Sequence, residues 1–345
     1  MDFKVIGSLS PRDKALLDRF LSEKPPNVYY LGPATGRLRQ ELVQQCSVGL
    51  TTSTRETFGW VPFEFITQGK PIIGPPLRSF KEIYGDLVIY ATTTNGFIER
   101  LRELRKNRFR PNFGKDAILQ LKNKYDLSKA AERILESIRS DSLTIFTRDT
   151  SSRSTYIAGF HLVSWRLWKR IEEKGARLQI VSNGNKYAAV FHLESCATSV
   201  PNWILFLKDK MNSLEETTQP LELVHRKILR AITLLLEPLW FVFSYIGIRK
   251  RMRSEWILAE GDPQMLAAVL LKFVFGSKIA CLLHDDPFYR TIWQREAPLA
   301  IRIYNLVINT SLRKIDNIIV VSKMLQQELL NFYPHRERVI VMWPN

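Results

Sequence analysis

Cysteine is scarce. Cys46, Cys196 and Cys281 are the only three, too far apart for a C-x-x-C pair or a metal-ligand cluster. Neither a disulfide framework nor a structural metal site is expected, and a reduced compartment is the default. The opening MDFKVIGS has no basic stretch followed by an apolar core, so no secretory signal is expected. Long apolar runs are also lacking. The nearest, Ile232 to Ile248, falls short of the ~20 apolar residues of a membrane span and carries Glu237 and Pro238 near its middle. Acidic residues are few, 34 against 50 Lys and Arg, for a net charge of +16. That balance favours an anionic partner, such as an acidic membrane surface, a phosphate-bearing substrate or nucleic acid. No aromatic-basic recognition motif supports the last, and nucleic acid is not expected.

What is present is globular. At 345 residues, 45% hydrophobic and 24% charged, the chain is long enough for two domains. Strands are expected at Phe3–Gly7, Val28–Leu31, Val48–Leu50, Ile72–Ile73 and Leu87–Tyr90. Helices are expected at Pro11–Leu21, Thr35–Gln45, from near Gly59, at Phe97–Lys106 and over Ala117–Ile138. After Ser140 the pattern restarts: strand Leu143–Phe146, helix Phe160–Glu173, strand Arg177–Val181, then strand Trp256–Ala259, helix Pro263–Phe275 and strand Ile279–Leu283. This alternation argues for α/β architecture, with Rossmann-like domains at 1–140 and 141–345 built on parallel sheets. The basic residues Arg100, Arg102, Arg105, Lys106, Arg108 and Arg110 read as a solvated helix face. Ile232–Ile248 fits a buried helix or an interfacial one equally, and a membrane span less well. In the second case Trp240 and Phe241 would sit among lipid head groups and Arg249, Lys250, Arg251 and Arg253 on their phosphates.

The densest chemistry lies in Ser53–Gly74, STRETFGWVPFEFITQGKPIIG. Glu56 and Glu64 flank Phe58-Gly59, and Pro62 suits a first helical turn, where its missing N–H has no intrahelical partner to lose. A helix starting near Gly59 turns free N–H groups toward the loop, an end that attracts phosphate. Without a Cβ, Gly59 lets an anion approach the backbone. The ionised carboxylates accept only, so beside a phosphate they suit sugar or ribose hydroxyls. Taken as spacing alone, Glu64 also fits a first-turn acid favoured by the helix dipole, and Glu56 a solvated loop charge.

This run resembles the donor-binding segment of GT-B-type retaining glycosyltransferases of family 4, P-S-x-x-E-x-F-G-x-x-x-x-E-x-x-x-x-G-x-P-V-I. Thr52 replaces the Pro, while Ser53, Glu56, Phe58, Gly59, Glu64, Gly69, Pro71 and Ile73 stand in place. Ala158-Gly159 followed by Gly175 resembles the family's amino-terminal G-G and G-H pair, with Ala176 in place of the His. Trp256 to Asp285 resembles a strand-helix-strand segment ending in His284-Asp285. Asp316 to Ser322, and Val339 to Asn345, resemble two later family segments.

The resemblance implies a nucleotide-sugar donor and no metal or other cofactor. Glu64 would hold the ribose, Glu56 with the Phe58-Gly59 backbone the transferred sugar, and His284 would face that sugar across a cleft. Ser53 and Gly159 would complete the donor site. The halves are transposed relative to the family, with the donor domain first. Its opening β-α unit, which carries the diphosphate-binding Arg and Lys, has no equivalent before Phe3. One account is circular permutation, giving a single cleft. The other is a chain spanning the tail of one enzyme and the head of the next, in which case a second chain completes the donor domain. The expected activity is sugar transfer to an acceptor, lipid-linked if the chain works peripherally at a membrane from the cytoplasmic side. The competing expectation is a non-catalytic module that binds nucleotide sugar or a membrane surface.

Overall fold

In a computed structural model, the alternating runs form helices and parallel strands. The structure describes residues 2–7, 14–32, 34, 36–106, 114–147, 159–182, 196–197, 238–246, 254–284, 306–331, 333 and 336–343. Expectations for Arg108, Arg110, Ala158, the basic run 249–253, Asp285 and Pro344-Asn345 lie outside them. The described residues fall into two compact units. One is drawn from Met1–Ala34, Ile138–Leu282 and Arg290–Asn317, the other from Thr35–Ser137, Leu283–Tyr289 and Ile318–Asn345.

In the first unit, β1 (Phe3–Ile6), α1 (Lys14–Glu23) and β2 (Val28–Gly32) make a β-α-β turn whose two strands pair in parallel, Phe3 opposite Val28. The larger sheet is built from β6 (Ser142–Thr147), β7 (Arg177–Ser182), β8 (Cys196–Ala197), β9 (Trp256–Glu260) and β10 (Lys278–Leu283). Within this unit they run β8-β7-β6-β9-β10, all parallel. In chain order that is 3-2-1-4-5, the Rossmann-like arrangement, and the order reverses between β6 and β9. The strands read as near-continuous apolar runs, as strands covered on both faces do. Ile145, Ile180, Leu258 and Ala280 are fully buried. Helix α8 (Gly159–Glu173) lays Trp165, Leu167, Trp168 and Ile171 into this core, the stripe expected from their spacing.

Three further helices of this unit are described, α9 at residues 238–246, α10 at Asp262–Phe275 and α11 at residues 306–312. Trp240 and Phe241, expected at a lipid surface if the segment were interfacial, are instead buried, with Phe241 against Phe146 at 5.4 Å between ring centroids. The helix is apolar on every side, so its sequence does not say which side turns inward. Among the described residues no helix is long and apolar enough to cross a membrane.

The second unit carries a separate parallel sheet, β3 (Gly49–Leu50), β4 (Ile72–Gly74) and β5 (Ile89–Tyr90), in the order β3-β4-β5. Its helices are α2 (Gly36–Gln45), α3 (Trp60–Thr67), α4 (Arg78–Tyr84), α5 (Thr94–Lys106), α6 (Lys115–Lys124) and α7 (Leu127–Ile138), the last ending at the boundary between units. The stretch Ala117–Ile138, expected as one helix, is two. Asp126 breaks it by accepting the Ser128 N–H at 2.6 Å, a side-chain cap that restarts the helix. Arg100 pairs with Glu103 at 2.8 Å on the exposed face of α5, as a solvated helix does.

The unit is closed by residues far along the chain. Helix α12 (Lys323–Leu330), numbered after α11 at residues 306–312, starts at Ser322, whose Oγ accepts the Leu325 N–H. The Glu82 carboxylate, on α4, accepts the Lys323 and Met324 N–H groups at 2.7 Å each. These first-turn donors have no intrahelical partner, and an acidic group at a helix N-terminus is favoured by the dipole. Strand β12 (Val339–Val341) pairs in parallel with β11 (Asn317–Val320), Ile318 opposite Val339.

Candidate functional site

The loop between β3 and α3 is braced from several directions. Ser53 Oγ donates to Glu56 Oε1 at 2.9 Å, and Ser79 Oγ, fully buried on α4, donates to the Glu56 carbonyl at 2.6 Å. Thr57 Oγ1 donates to the His284 carbonyl at 2.5 Å across 227 residues of sequence, which brings the histidine's backbone to the acidic loop. Tyr84 Oη donates to the Gly59 carbonyl at 2.6 Å. Burial holds the Tyr84 hydroxyl well above the usual tyrosine range, and nearby Tyr125, Glu56 and Glu64 add to the shift.

Gly59 precedes α3 in a left-handed conformation, φ +84°, which an L side chain adopts only with strain. A Cβ there would meet the Phe80 ring at 2.3 Å. The room left by the missing Cβ is therefore filled by Phe80, and what Gly59 serves directly is this packing. At the other end, Lys70 N–H reaches the Phe65 carbonyl and Gly69 N–H the Ile66 carbonyl. With Gly69 at φ +69°, these bonds form a Schellman cap. Helix α3 is thus fixed at both ends, eight residues long, with Glu64 on its second turn.

Glu64 faces α2. Arg39 directs Nε and Nη2 at its Oε2, each at 2.7 Å, with both side chains about a third exposed. The fork fixes the carboxylate's direction. An ion pair this open to solvent contributes no more than about 1 kcal/mol. Phe58 is core. It is 3% exposed and meets Trp60 at 4.3 Å, Tyr125 at 5.2 Å and Trp343 at 5.3 Å between ring centroids. Trp343 Nε1 in turn donates to the Asp126 carbonyl at 3.1 Å.

Of the residues singled out from sequence, Ser53, Glu56, Phe58, Gly59, Glu64 and the His284 backbone lie together in the second unit, and Gly159 opens α8 in the first. Sequence reasoning missed Arg39, Ser79, Tyr84 and Trp343, whose partners in this loop and helix lie 23 or more residues away.

It also missed a buried carboxylate in the first unit. Glu260, at the carboxyl end of β9, is 3% exposed and accepts hydrogen bonds from Thr147 Oγ1 at the end of β6 and Ser164 Oγ on α8. This is the point where the strand order reverses, the usual ligand crevice of such sheets. Among the described residues no group of His, Cys, Asp and Glu could hold a metal ion, and Cys46 and Cys281 carry free thiols. Comparison with protein-family models and with curated protein sequences finds no match.

Proposed function

We propose that the chain is a retaining glycosyltransferase of GT-B type, taking a nucleotide-sugar donor. The observation that carries this reading is the Thr57 hydrogen bond to His284, which sets the histidine beside the Glu56 loop at the tip of α3. In this reading Glu64, oriented by Arg39, accepts from the ribose hydroxyls, and Glu56, braced by Ser53 and Ser79, accepts from the sugar. The N–H groups of Trp60 and Val61 point out of the first turn of α3, where no intrahelical acceptor exists for them. They would meet the departing diphosphate, whose charge grows as the sugar carbon becomes oxocarbenium-like. Gly159, at the start of α8, would admit the acceptor side.

A second reading has one observation in its favour. In the second unit β3-β4-β5 form a three-stranded parallel sheet of their own, like the 4-5-6 end of a 3-2-1-4-5-6 order split from its central strand. A half-enzyme that binds donor without transfer, or needs another chain for that strand, fits this split. Titration calorimetry and donor-hydrolysis assays with a panel of uridine, guanosine and adenosine diphosphate sugars separate the two. Transfer requires turnover that Glu64→Ala loses through donor binding and Glu56→Ala loses mainly through kcat. Binding without turnover selects the half-enzyme, and a chain that binds no donor overturns both.

A further inference from the structure

Helices α9, α10 and α11 each bury one apolar stripe and leave another uncovered. On α9, Trp240, Phe241 and Tyr245 face the core, while Leu239, Phe243 and Ile246, spaced i, i+4 and i+7, face outward. On α10, Ala267, Ala268 and Leu271 are fully buried, while Leu270, Phe273 and Val274 form the outward stripe. Helix α11 buries Ile308 and Leu312 and exposes Leu306. Phe243, Phe273, Val274 and Leu306 are each 65–69% exposed.

The helices themselves adjoin. Tyr245 on α9 meets Phe275 at the end of α10 at 6.2 Å between centroids. Beyond the end of α11, Lys314 sets its Nζ 6.0 Å from the Phe273 centroid and gives its carbonyl to Lys272 Nζ at 2.9 Å. All of these residues belong to the first unit. Lys272 Nζ is also held by both Asp316 oxygens at 2.7 Å, which leaves Lys314 as the cation beside Phe273. Exposed apolar stripes on neighbouring helices beside such a cation mark an interaction site more than hydrophobics scattered singly do.

We infer that this face docks on an anionic lipid surface, with Phe243 and Phe273 inserted at the level of the head groups. Charge selects the occupant. Arg313 and Lys314 follow α11, in a chain that carries +16 overall. A second copy seated face to face would bring Arg313 and Lys314 toward the same cations of its partner, whereas acidic head groups neutralise them. The surface differs from the one expected from sequence, because it is the side of α9 opposite Trp240 and Phe241 that faces out. It does not depend on sugar transfer by the second unit.

The test is co-sedimentation of the full chain with phosphatidylcholine vesicles, with and without a quarter of phosphatidylglycerol. Binding to the anionic vesicles should exceed binding to the neutral ones by at least ~10-fold and fall with salt. The pair Phe243→Ser and Phe273→Ser should lower it by at least ~10-fold. Val274→Asp, a single change at an exposed position that removes apolar contact and repels acidic head groups, should lower it in the same direction if the double variant fails to fold. Equal binding to both vesicle types, no binding, or binding indifferent to every substitution overturns the inference. A dimer in sedimentation velocity that these substitutions split into monomers assigns the face to a second copy and overturns it as well.

Discussion

Trp343→Ala should unfold the second unit's aromatic cluster while leaving the first unit's sheet intact. The indole is 3% exposed and touches the rings of Phe58, Tyr125 and Trp60 at 5.3, 5.6 and 6.3 Å between centroids. Removing a buried Trp costs about 3–5 kcal/mol when the cavity does not collapse. The lost Nε1–H bond to Asp126 leaves a carbonyl in need of a donor and accounts for about 1 kcal/mol of this. Domains of this size have about 5–15 kcal/mol in hand, so the variant should stand near its threshold. The assay is hydrogen exchange followed by peptide mass. Amides of α3, from Trp60 to Thr67, should exchange about 100-fold or more faster in the variant, each 1.4 kcal/mol being tenfold, while amides of β7 should not change. Trp343→Phe should recover most of the protection, since it keeps a ring and loses only the hydrogen bond. Unchanged protection of α3 in Trp343→Ala would refute the proposed seal.

Two other outcomes follow from the same loop. Gly59→Ala combines left-handed strain of about 1–2 kcal/mol with overpacking against Phe80 of about 1–3 kcal/mol, and should lower the thermal midpoint by several degrees. A wild-type melt would remove Gly59 from the list of positions fixed by packing. Folded Tyr84 keeps its proton well above the usual range, chiefly through burial, and Tyr90 is raised to about 12 by burial and then Asp86. From pH 10 upward the unfolded state therefore holds fewer protons than the folded one, and stability falls as pH rises. Denaturant titrations between pH 8 and 11 should show this fall, and Tyr84→Phe should flatten it.

The β-α alternation was legible because period is a local property. The strands near Phe3, Val28, Ile72, Leu143, Arg177 and Ile279, and the helix from Gly159 to Glu173, appear where the apolar spacing puts them. Asp126 was a local signal passed over, an N-cap residue inside a periodic run. The side of α9 that turns inward was not legible, because a stripe that is apolar on both sides carries no moment to read. Nor were the Arg39–Glu64 pair, 25 residues apart, or the Thr57–His284 bond. Such pairs depend on which strands neighbour each other, and no window of sequence contains that. In the acidic loop, Glu56 and Glu64 accept from Ser53 and Arg39, partners the local sequence did not name, and the packing duty of Gly59 and Phe58 became visible only with Phe80 and Trp343 in place.

Trp343 and α12 also govern when the second unit can form during synthesis. The 217 residues between Asp126 and Trp343 take a ribosome about 10–45 s at about 5–20 residues per second. Through that interval Phe58, Trp60, Phe63 and Tyr125 have no indole to close over them, and the amino end of α12 has not yet reached Glu82. The nascent chain thus carries a sticky aromatic patch until Trp343 has been made, a surface of the kind that chaperones binding exposed rings recognise. Interrupted translation would release fragments whose first failing is aggregation, before any question of catalysis arises.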